Sequence, residues 1–560
     1  MVDRTAFTAA DVVADIWRHL ELPPSALSSL SLHGSSEVLS STREKEKPVV
    51  PSSFKIGVLA QSAVALSALG AAVVHSVRTG LLGTTTSDED LQPDREVDGG
   101  VGVGVGVSVP RVTVPLRHAV LEFLCERLYT LDGRPPAQTW GPIGGLYPTA
   151  DHGGYVRIHD NFPHHRRGAL SLLGLEPTCV DRKAVAERTR MWESADLERV
   201  AVEEKGLAVY KLRSYDEWDA LPQARALRDF PVDVRRIGIL SSRSESRESS
   251  GSGGSKGDKG HDKRMNGESE NRGEGNASNP KKCLSGLRVL ELSRVIAAPV
   301  AGKTLAAHGA DVLWVTCPRL PDLPGLDREF ARGKKSLALD LDAPKDKETF
   351  LRLARDADAV IQGYRPGSLA ARGLDTETLS KINPGIIVAN LSAFGPEGEW
   401  KDRRGFDSLV QTATGLNVSE AEHYGSGEVA RPLPCQALDH GAGFLLAAGV
   451  CAAVYHREKD RREGRRVGVY VVDVSLAGVG KYLRSLGQYE GRSGFEGDDL
   501  TALAPRGEMN GEDEALFETR QTAFGQMSFL KHSASVEGLK PGWDRMPAPL
   551  GSSEPAWSGL

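Results

Sequence analysis

The residue best placed to do chemistry is Asp439, in the stretch RPLPCQALDHGAGFLLAAGVCAAVYHRE. A polar, proline-punctuated segment gives way there to a long apolar helical pattern, so Asp439 falls at the start of a predicted helix. The positive end of a helix favours a negative charge. We therefore expect Asp439 to stay ionised and to face whatever approaches that end. The alternative is an ordinary N-cap, because aspartate is among the residues preferred at that position.

The elements that must position Asp439 lie upstream, from about Leu287 to Ser392. Strand-like runs alternate there with helical patterns, and this alternation predicts a parallel sheet covered on both faces, an α/β architecture with a nucleotide-type binding half. The predicted strands are LRVLELS, DVLWVTC, KKSLALDL, AVIQGY and GIIVANLSAF, and the predicted helices are VIAAPVAGKTLAAHGA, ETFLRLARDA and SLAARG.

Two other motifs suggest different chemistry. Ala297–Thr304, AAPVAGKT, fits a relaxed phosphate-binding loop, since it follows a strand and opens a helix. Pro299 removes one of the N–H groups such a loop needs, and the predicted strands DVLWVTC, AVIQGY and IIVANLS end without an obvious Mg²⁺-binding aspartate, so nucleotide hydrolysis is disfavoured. His159, His164 and His165 lie close together in RIHDNFPHHRRG. Their spacing matches no standard metal site, so a polar or anion-binding loop is favoured and no metal is expected.

Composition argues against a nucleic-acid-binding surface and a disulfide framework. The 560 residues carry a net charge of −6, and the six cysteines form no CxxC pair. Basic residues near predicted strand or helix ends are either solvated charges or a rim for the phosphates of a cofactor. These residues are Lys334 with Lys335, Arg403 with Arg404, and Arg457.

A segment dense in glycine, serine and charge divides the chain and predicts a disordered linker. The uncharged run Ile56–Val77 predicts a buried helix rather than a membrane span. No signal peptide is visible in MVDRTAFTAADVV, which predicts the cytoplasm, with the mitochondrion or peroxisome as open alternatives. The predicted regions are a first half at 1–240 with an insert at about 88–108, the linker at 241–282, the sheet-forming region at 283–480, and a C-terminal extension at 481–560 that packs on the core.

Several segments together resemble the family III CoA-transferases, the CaiB/BaiF or formyl-CoA transferase-like group. They are LSGLRVLELSRVIAAPVAGKTLAAHGADVLWV, RGKKSLALDLD, AVIQGYRPGSLAARGLD, NPGIIVANLSAFGPEGEW, RRGFDSLVQTATG and LDHGAGFLLAAGVCAAVYHR. The resemblance implies a Rossmann-like CoA-binding large domain and a smaller α+β domain, which YPTADHGGYVRI resembles. Ala63–Arg78 echoes Gly441–Arg457, which suggests a fused, partly degenerate double copy. The interlocked dimers of the family imply a homodimer or an intramolecular pseudo-dimer.

The resemblance also implies the site residues. Asp439 matches the catalytic aspartate, coenzyme A is the acyl carrier, and no metal is implied. The positions that match CoA-side segments are Val295, Lys334, Lys335, Tyr364, Arg365 and Arg404. Gly144 and Gly145 match a loop that closes over the aspartate in some members, and N–H groups near Gly441 are expected to stabilise an oxyanion.

The implied reaction transfers CoA between an acyl-CoA thioester and an acceptor carboxylic acid, through an aspartyl mixed anhydride and an aspartyl-CoA thioester. An α-methylacyl-CoA racemase-like isomerase is one alternative. It is disfavoured because Phe406 stands where the related racemases carry a histidine. A non-catalytic CoA-binding protein is the other, since the first half is degenerate and the linker is long.

Overall fold

The computed structural model describes residues 2–34, 48–81, 108–237, 282–497, 499–500 and 511–559. The predicted linker at 241–282 and the predicted insert at 88–108 lie outside these residues, except for Lys282 and Ser108.

The described residues form sixteen β-strands and eighteen α-helices. The strands are β1 Leu30–His33, β2 Val112–Pro115, β3 Thr130–Leu131, β4 Gly145–Pro148, β5 Tyr155–Ile158, β6 Val209–Lys211, β7 Val232–Ile237, β8 Arg288–Leu292, β9 Asp311–Thr316, β10 Lys335–Ala338, β11 Ala359–Gln362, β12 Ile387–Ser392, β13 Val469–Ser475, β14 Phe517–Thr522, β15 Gly525–Leu530 and β16 Ser535–Val536. The helices are α1 Ala9–His19, α2 Ile56–Thr79, α3 Leu116–Glu122, α4 Cys125–Leu128, α5 Pro163–Leu172, α6 Arg182–Thr189, α7 Ser194–Arg199, α8 Tyr215–Asp219, α9 Pro222–Ala226, α10 Ala297–Ala307, α11 Pro324–Phe330, α12 Pro344–Arg355, α13 Thr376–Ile382, α14 Asp407–Ala413, α15 Leu416–Tyr424, α16 Ala437–Arg462, α17 Leu476–Ser485 and α18 Gly511–Glu514.

A seven-stranded sheet organises the molecule, in the order β10-β9-β8-β11-β12-β13-β7. Its first six strands are parallel, and β7 pairs antiparallel with β13. The predicted α/β architecture is therefore confirmed. The winding reverses between β8 and β11, and in sheets of this kind a ligand-binding crevice opens at that point, outside the carboxyl ends of the strands.

Alternating strand residues bury both faces of this sheet. Val289 and Ile361 belong to the core that contains α10 and α16, whereas Leu290 and Val360 pack with Phe350 of α12. Successive side chains of a strand point to opposite faces, so two apolar layers follow from near-continuous apolar strands.

Helices α2 and α16 are the two longest helices described, and both are buried. Each is long and apolar enough to cross a membrane, yet the apolar stretch of each lies inside the described part of the protein. Gly70 of α2 faces α16 closely, since a Cβ atom added there would lie 3.0 Å from Cys451 Cβ. The two helices pack against each other, as the prediction of a buried helix at Ile56–Val77 requires.

The first and second halves share their smaller sheets. Strand β16 pairs with β2, and β15 pairs with β3, both antiparallel. Strand β7, also from the first half, completes the large sheet. A third small sheet, β4-β5-β6, lies wholly within the first half. The first half therefore does not form a separate layer, and the double-copy relationship stays a prediction from sequence.

Gly443 lets α16 approach α10 closely. A Cβ atom there would lie 2.5 Å from both Ala297 O and Val300 Cβ, which are parts of the fold that cannot simply rotate away. We expect Gly443→Ala to destabilise the protein by roughly 1–3 kcal/mol through overpacking, measured as a lowered midpoint of thermal or urea unfolding.

Gly480 of α17 provides the matched control. A Cβ atom there would meet only the ends of two leucine side chains, the nearer being Leu416 at 3.3 Å. Alanine favours helices over glycine by about 1 kcal/mol, so Gly480→Ala should leave stability unchanged or raise it. Equal midpoints for the two variants would contradict the close α10–α16 contact.

Candidate active site

A cavity of about 510 Å³ opens at the N-terminus of α16 and contains Asp439 in its wall. Both halves of the chain form this wall. The first half contributes residues 126–127, 135–140, 159 and 161, and the second contributes residues 295–296, 326, 406–408, 436 and 439. The wall around Asp439 thus comes from both sides of the predicted linker, within one chain.

Asp439 is the third residue of α16, and the first turn of that helix is capped by another aspartate. The backbone N–H groups of Leu438 and Asp439 donate to Asp407 Oδ2 at 2.8 and 2.9 Å. Gln411 Nε2 donates to Asp407 Oδ1. Asp407 therefore takes the N–H groups that a helix start leaves without helical partners, so Asp439 is not the N-cap of its own helix.

The electrostatics of Asp439 differ from the prediction that the helix end keeps it ionised. Burial raises its pKa well above the ordinary aspartate value, and the nearby Asp407 and Glu126 raise it further. Burial also raises the pKa of Asp407 to about 6, against the lowering effect of the N–H groups it accepts. The helix N–H groups act on Asp407 instead, and two neighbouring carboxylates favour the neutral form of Asp439.

Glu126, on α4, is the third carboxylate in this wall. Its Oε2 atom lies 3.1 Å from His440 Nε2, and Arg127 Nε lies 3.5 Å from its Oε1. Burial acts to raise the pKa of Glu126, but His440 and Arg127 outweigh it, and the net pKa is lowered. Glu126 is therefore held as an anion beside Asp439.

The motif AAPVAGKT is not a phosphate-binding loop. Its residues form the buried interior of α10. Lys303 Nζ donates to Glu329 Oε1 at 2.9 Å and lies 3.2 Å from Cys125 Sγ, in the buried core. Gly302 makes room for the Glu291 carboxylate, because a Cβ atom there would overlap Glu291 Oε2. The glycine and lysine of the motif serve packing and a buried ion pair.

Among the described residues, one group of side chains has the spacing of metal ligands, namely Cys125, Glu126 and His440. Glu126 is already paired with His440. The ammonium group of Lys303 next to Cys125 places a positive charge where a cation would have to sit. The predicted histidine cluster is used differently, since His159 stacks on Phe406 with ring centroids 3.8 Å apart.

Val295, a predicted CoA contact, lines the cavity and has a strained backbone, with φ at 72°. A β-branched residue rarely adopts this left-handed conformation, and such strain is concentrated at functional sites. It follows β8 by three residues, at the point where the winding of the sheet reverses. The left-handed conformation at Val295 turns the chain from β8 into α10, beside Asp439.

Tyr364, also predicted from CoA-side segments, lines a smaller cavity of about 110 Å³. This cavity lies at the carboxyl ends of β8, β9 and β10, with Leu292, Thr316 and Leu339 in its wall. Burial raises the pKa of Tyr364 to about 12, so its phenol stays a hydrogen-bond donor. Its position matches the crevice expected for a nucleotide-like ligand.

Arg365 and Arg404 face a further cavity of about 350 Å³ with Arg403 in its wall. The Arg404 guanidinium donates to Gly206 O, and its pKa is lowered by burial and by the neighbouring Arg365. The guanidinium groups give this wall positive charge, which Glu203, Glu399 and Asp402 of the same wall partly offset. Arg403, in contrast, pairs with Glu198 and Glu203.

Lys334 and Lys335, the two lysines predicted to lie on the CoA side, bind other groups of the protein. Lys334 Nζ is buried and donates to Glu291 Oε1 and Pro299 O, both at 2.8 Å. Lys335 Nζ donates to Ala556 O and lies 3.7 Å from Asp311 Oδ2. Neither lysine lines the cavities around Asp439, Tyr364 or Arg404. Their role in CoA binding stays a prediction, and the contacts seen here are structural.

The three predicted glycines also lie outside the cavity wall. Gly144 packs against Asp160 and Gly145 against Arg182, while Gly441 packs against Leu59 and Val479 inside the helix bundle. The loop that does reach the cavity is 135–140, with sequence PPAQTW. The interpretation of Gly441 as an oxyanion donor finds no support here, because the N–H groups of the first turn go to Asp407.

Sequence reasoning missed three side chains of this wall, Asp407, Glu126 and Trp140, and interpreted His159 only as part of a polar or anion-binding loop. Asp407 follows Phe406 directly in RRGFDSL, so an acid opening a helix was the available signal. Trp140, after two prolines, is 51% exposed, which is unusual for so large an apolar side chain. Nothing in the sequence connects Glu126 to Asp439, because 312 residues separate them along the chain.

Comparisons with known proteins agree with this geometry. Residues 284–514 match the family described as CoA-transferase family III. The chain is 36% identical over 213 residues to a probable fatty acyl-CoA transferase, Rv3272, of Mycobacterium tuberculosis, covering 36% of this chain and 53% of that protein. It is 27% identical over 326 residues to an acyl-CoA transferase of Gibberella moniliformis, covering 56% of this chain and 52% of that protein.

A crystal structure of Rv3272 is 33% identical, with a TM-score of 0.32, and the match covers 38% of this chain and 57% of that one. The chain thus spans about half the length of the curated relatives it matches. The matched region holds the predicted CoA-side segments, the winding reversal of the sheet and Asp439. Over residues 284–514, the chain is similar to CoA-transferase family III.

Proposed function

We propose that this protein transfers CoA between an acyl-CoA thioester and an acceptor carboxylic acid, with Asp439 as the nucleophile. The observation that carries the proposal is the position of Asp439. It lies in a cavity that also contains Val295, at the carboxyl edge of the sheet. The names of the relatives, CoA or acyl-CoA transferases, support the same reaction class.

The chemistry proceeds through three covalent states of Asp439, which are two mixed anhydrides and the aspartyl-CoA thioester between them. Its carboxylate attacks the donor thioester carbonyl, forms a mixed anhydride and releases CoA thiolate. The thiolate attacks the aspartyl carbonyl, which gives an aspartyl-CoA thioester and frees the donor acid. An acceptor carboxylate then attacks the carbonyl of that thioester, which releases CoA thiolate and forms a second mixed anhydride. The thiolate attacks the acceptor carbonyl of this anhydride and leaves as the new acyl-CoA. Asp439 is regenerated as a carboxylate, and no proton is gained or lost overall.

Asp407 sets the ionisation of the nucleophile. It caps the helix that carries Asp439 and places a second carboxyl group beside it. A raised pKa makes the Asp439 carboxylate more basic and hence a better nucleophile once it is ionised. The raised pKa also means that a smaller fraction of the Asp439 carboxyl group is ionised at acidic pH. We therefore assign Asp407 a positioning and tuning role, while Asp439 makes the bonds.

The CoA moiety would follow the edge of the sheet. Tyr364 lies in the crevice at the ends of β8, β9 and β10, and Arg365 and Arg404 offer two guanidinium groups to phosphates. Val295 and α10 would direct the pantetheine arm towards Asp439. Since residues from both halves of the chain line the cavity around Asp439, we propose that the two halves form the active site together, as an intramolecular counterpart of a dimer.

Replacing the nucleophile tests the reaction directly. We expect Asp439→Ala to lower kcat at least about 1,000-fold, because the variant lacks the carboxylate that forms the covalent intermediates. CoA binding, measured by calorimetric titration, should change only a few-fold. The assay follows transfer from an acyl-CoA to a free acid by chromatography. Retained transfer would contradict the assignment, and deuterium uptake at the α-carbon in heavy water would favour an isomerase.

The Asp407–Asp439 pair predicts a pH dependence. The nucleophile must be ionised and its pKa is raised, so kcat/KM should increase with pH through a limb well above the ordinary aspartate range. Asp407→Asn removes a like charge, so the limb should move to lower pH by about one unit or more. Glu126 remains in this variant, so the pKa of Asp439 should stay above the ordinary aspartate value.

Two features of that experiment need control. In Asp407→Asn the new side-chain amide cannot accept from both Gln411 Nε2 and the helix N–H groups as the carboxylate does, so a stability loss of roughly 1–3 kcal/mol is expected. The pH profile is independent of that loss as long as the protein is folded. Asp216→Asn, an exposed change on α8, should leave the profile unmoved. If the rise of kcat/KM with pH occurs at the same pH in Asp407→Asn as in the unchanged protein, the electrostatic coupling between Asp407 and Asp439 is contradicted.

The guanidinium groups of Arg365 and Arg404 are expected to contribute to the affinity for CoA. Charge-assisted hydrogen bonds contribute about 1.5–3 kcal/mol, so Arg404→Gln or Arg365→Gln should raise the Kd for CoA by at least about 10-fold. Titration calorimetry with free CoA provides the measurement. Arg355→Gln, an exposed change at the end of α12, is the matched control. Unchanged affinity in both site variants would place the phosphates elsewhere.

A further inference from the structure

The cavity around Asp439 has an aromatic wall on one side. His159 stacks on Phe406 with centroids 3.8 Å apart and rings nearly parallel, and Trp140 meets His159 edge-on at 6.5 Å. All three side chains line the cavity. Pro135, Pro136 and Leu326 extend this surface. Such a wall offers flat, apolar contacts to whatever group lies next to the reacting carbonyl.

Trp140 shows that this surface is only partly covered within the described chain. It is 51% exposed although it lies in a concave region. Exposed aromatic side chains at a cavity are commonly anchors for a ligand, because covering them removes a large apolar area from water. A substrate group that covers Trp140 would therefore bind more tightly if its own surface is apolar.

The charges of the described wall are predominantly negative. Glu126, Asp407 and Asp439 all line the cavity. The one cation in the wall, Arg127, is matched by Glu126 at 3.5 Å and donates to Pro434 O at 2.9 Å. Arg157, which is not part of the wall, acts on Asp407. A second carboxylate on a substrate would therefore find like charges and no unmatched cation in the described wall.

His159 does not supply the missing positive charge. It is 6% exposed, and its pKa is lowered to about 3 by burial, by His165 and by Arg157, so the imidazole is neutral at physiological pH. Its Nδ1 atom is buried and has no hydrogen-bond partner among the described residues.

We propose that the acyl group handled at Asp439 is uncharged and largely apolar, and that dicarboxylic acyl groups are excluded. The acyl chain lies against Trp140, His159 and Phe406, and the carboxylates of Glu126 and Asp407 in the wall repel a terminal carboxylate. This inference rests on the proposed function, since it names the substrate class of the same site. It concerns the acyl group only and makes no claim about the CoA end.

A matched pair of thioesters tests the inference. Butyryl-CoA and succinyl-CoA have the same four-carbon chain and differ in a terminal methyl or carboxylate group. With the full chain and one common acceptor acid, we expect kcat/KM for butyryl-CoA to exceed that for succinyl-CoA at least about 100-fold, because the carboxylate would be buried without a partner. A ratio below about 10, or a preference for succinyl-CoA, overturns the inference while the transfer reaction stands.

Binding separates a failure of the inference from a failure of the proposed reaction. If neither thioester is turned over, the same pair is titrated into Asp439→Asn by calorimetry, with free CoA as the reference. Tighter binding of butyryl-CoA than CoA, with weaker binding of succinyl-CoA, supports the inference without any transfer. Equal affinities of the two thioesters overturn it.

A change of charge in the wall provides the converse test. Gln138 lies in the exposed loop that lines the cavity. Gln138→Arg adds a cation, so the ratio of kcat/KM for succinyl-CoA to that for butyryl-CoA should rise at least about 10-fold. Gln138→Met, of similar size and without charge, should leave the ratio unchanged. An equal response of both variants contradicts the electrostatic basis of the exclusion.

Discussion

The constraint on which the site depends is the burial of three carboxyl groups at one helix end. Asp407 accepts the first N–H groups of α16, Asp439 follows within the same turn, and Glu126 closes the group from the first half of the chain. Burial raises the pKa of Asp407 to about 6, against the opposing effect of the helix N–H groups, and His440 outweighs burial at Glu126 and lowers its pKa, whereas every influence on Asp439 raises its pKa. That asymmetry singles out Asp439 as the candidate for the reactive carboxyl group among the three.

The rest of the fold holds this helix end in place. Helix α16 is buried along most of its length, and its glycines permit close contact with α10 at Gly443 and with β13 at Gly449. Helix α2 covers it from the first half, and β7 completes the large sheet. Because α4 and the loop at 135–140 also come from the first half, the active-site wall depends on the interleaving of the two halves.

The sequence allowed the parallel sheet, the buried helix α2 and the candidate nucleophile to be predicted, because each has a local signal. Strand periodicity and an acid at a helix start are visible in a few consecutive residues. The partners of those residues are not local. Lys334 looked available for a ligand because its partner, Glu291, lies 43 residues earlier inside an apolar strand. The charge state of Asp439 was mispredicted for the same reason, since Asp407 and Glu126 are brought to it only by folding.

The central claim is that Asp439 becomes covalently attached to CoA. The most direct test is mass spectrometry of the intact protein after incubation with an acyl-CoA and no acceptor, followed by peptide mapping. The account predicts an added mass equal to CoA less one water, located on the peptide that contains Asp439 and missing in Asp439→Ala. An adduct on another residue, or transfer to an added acid with no adduct on Asp439 at any time, would contradict it.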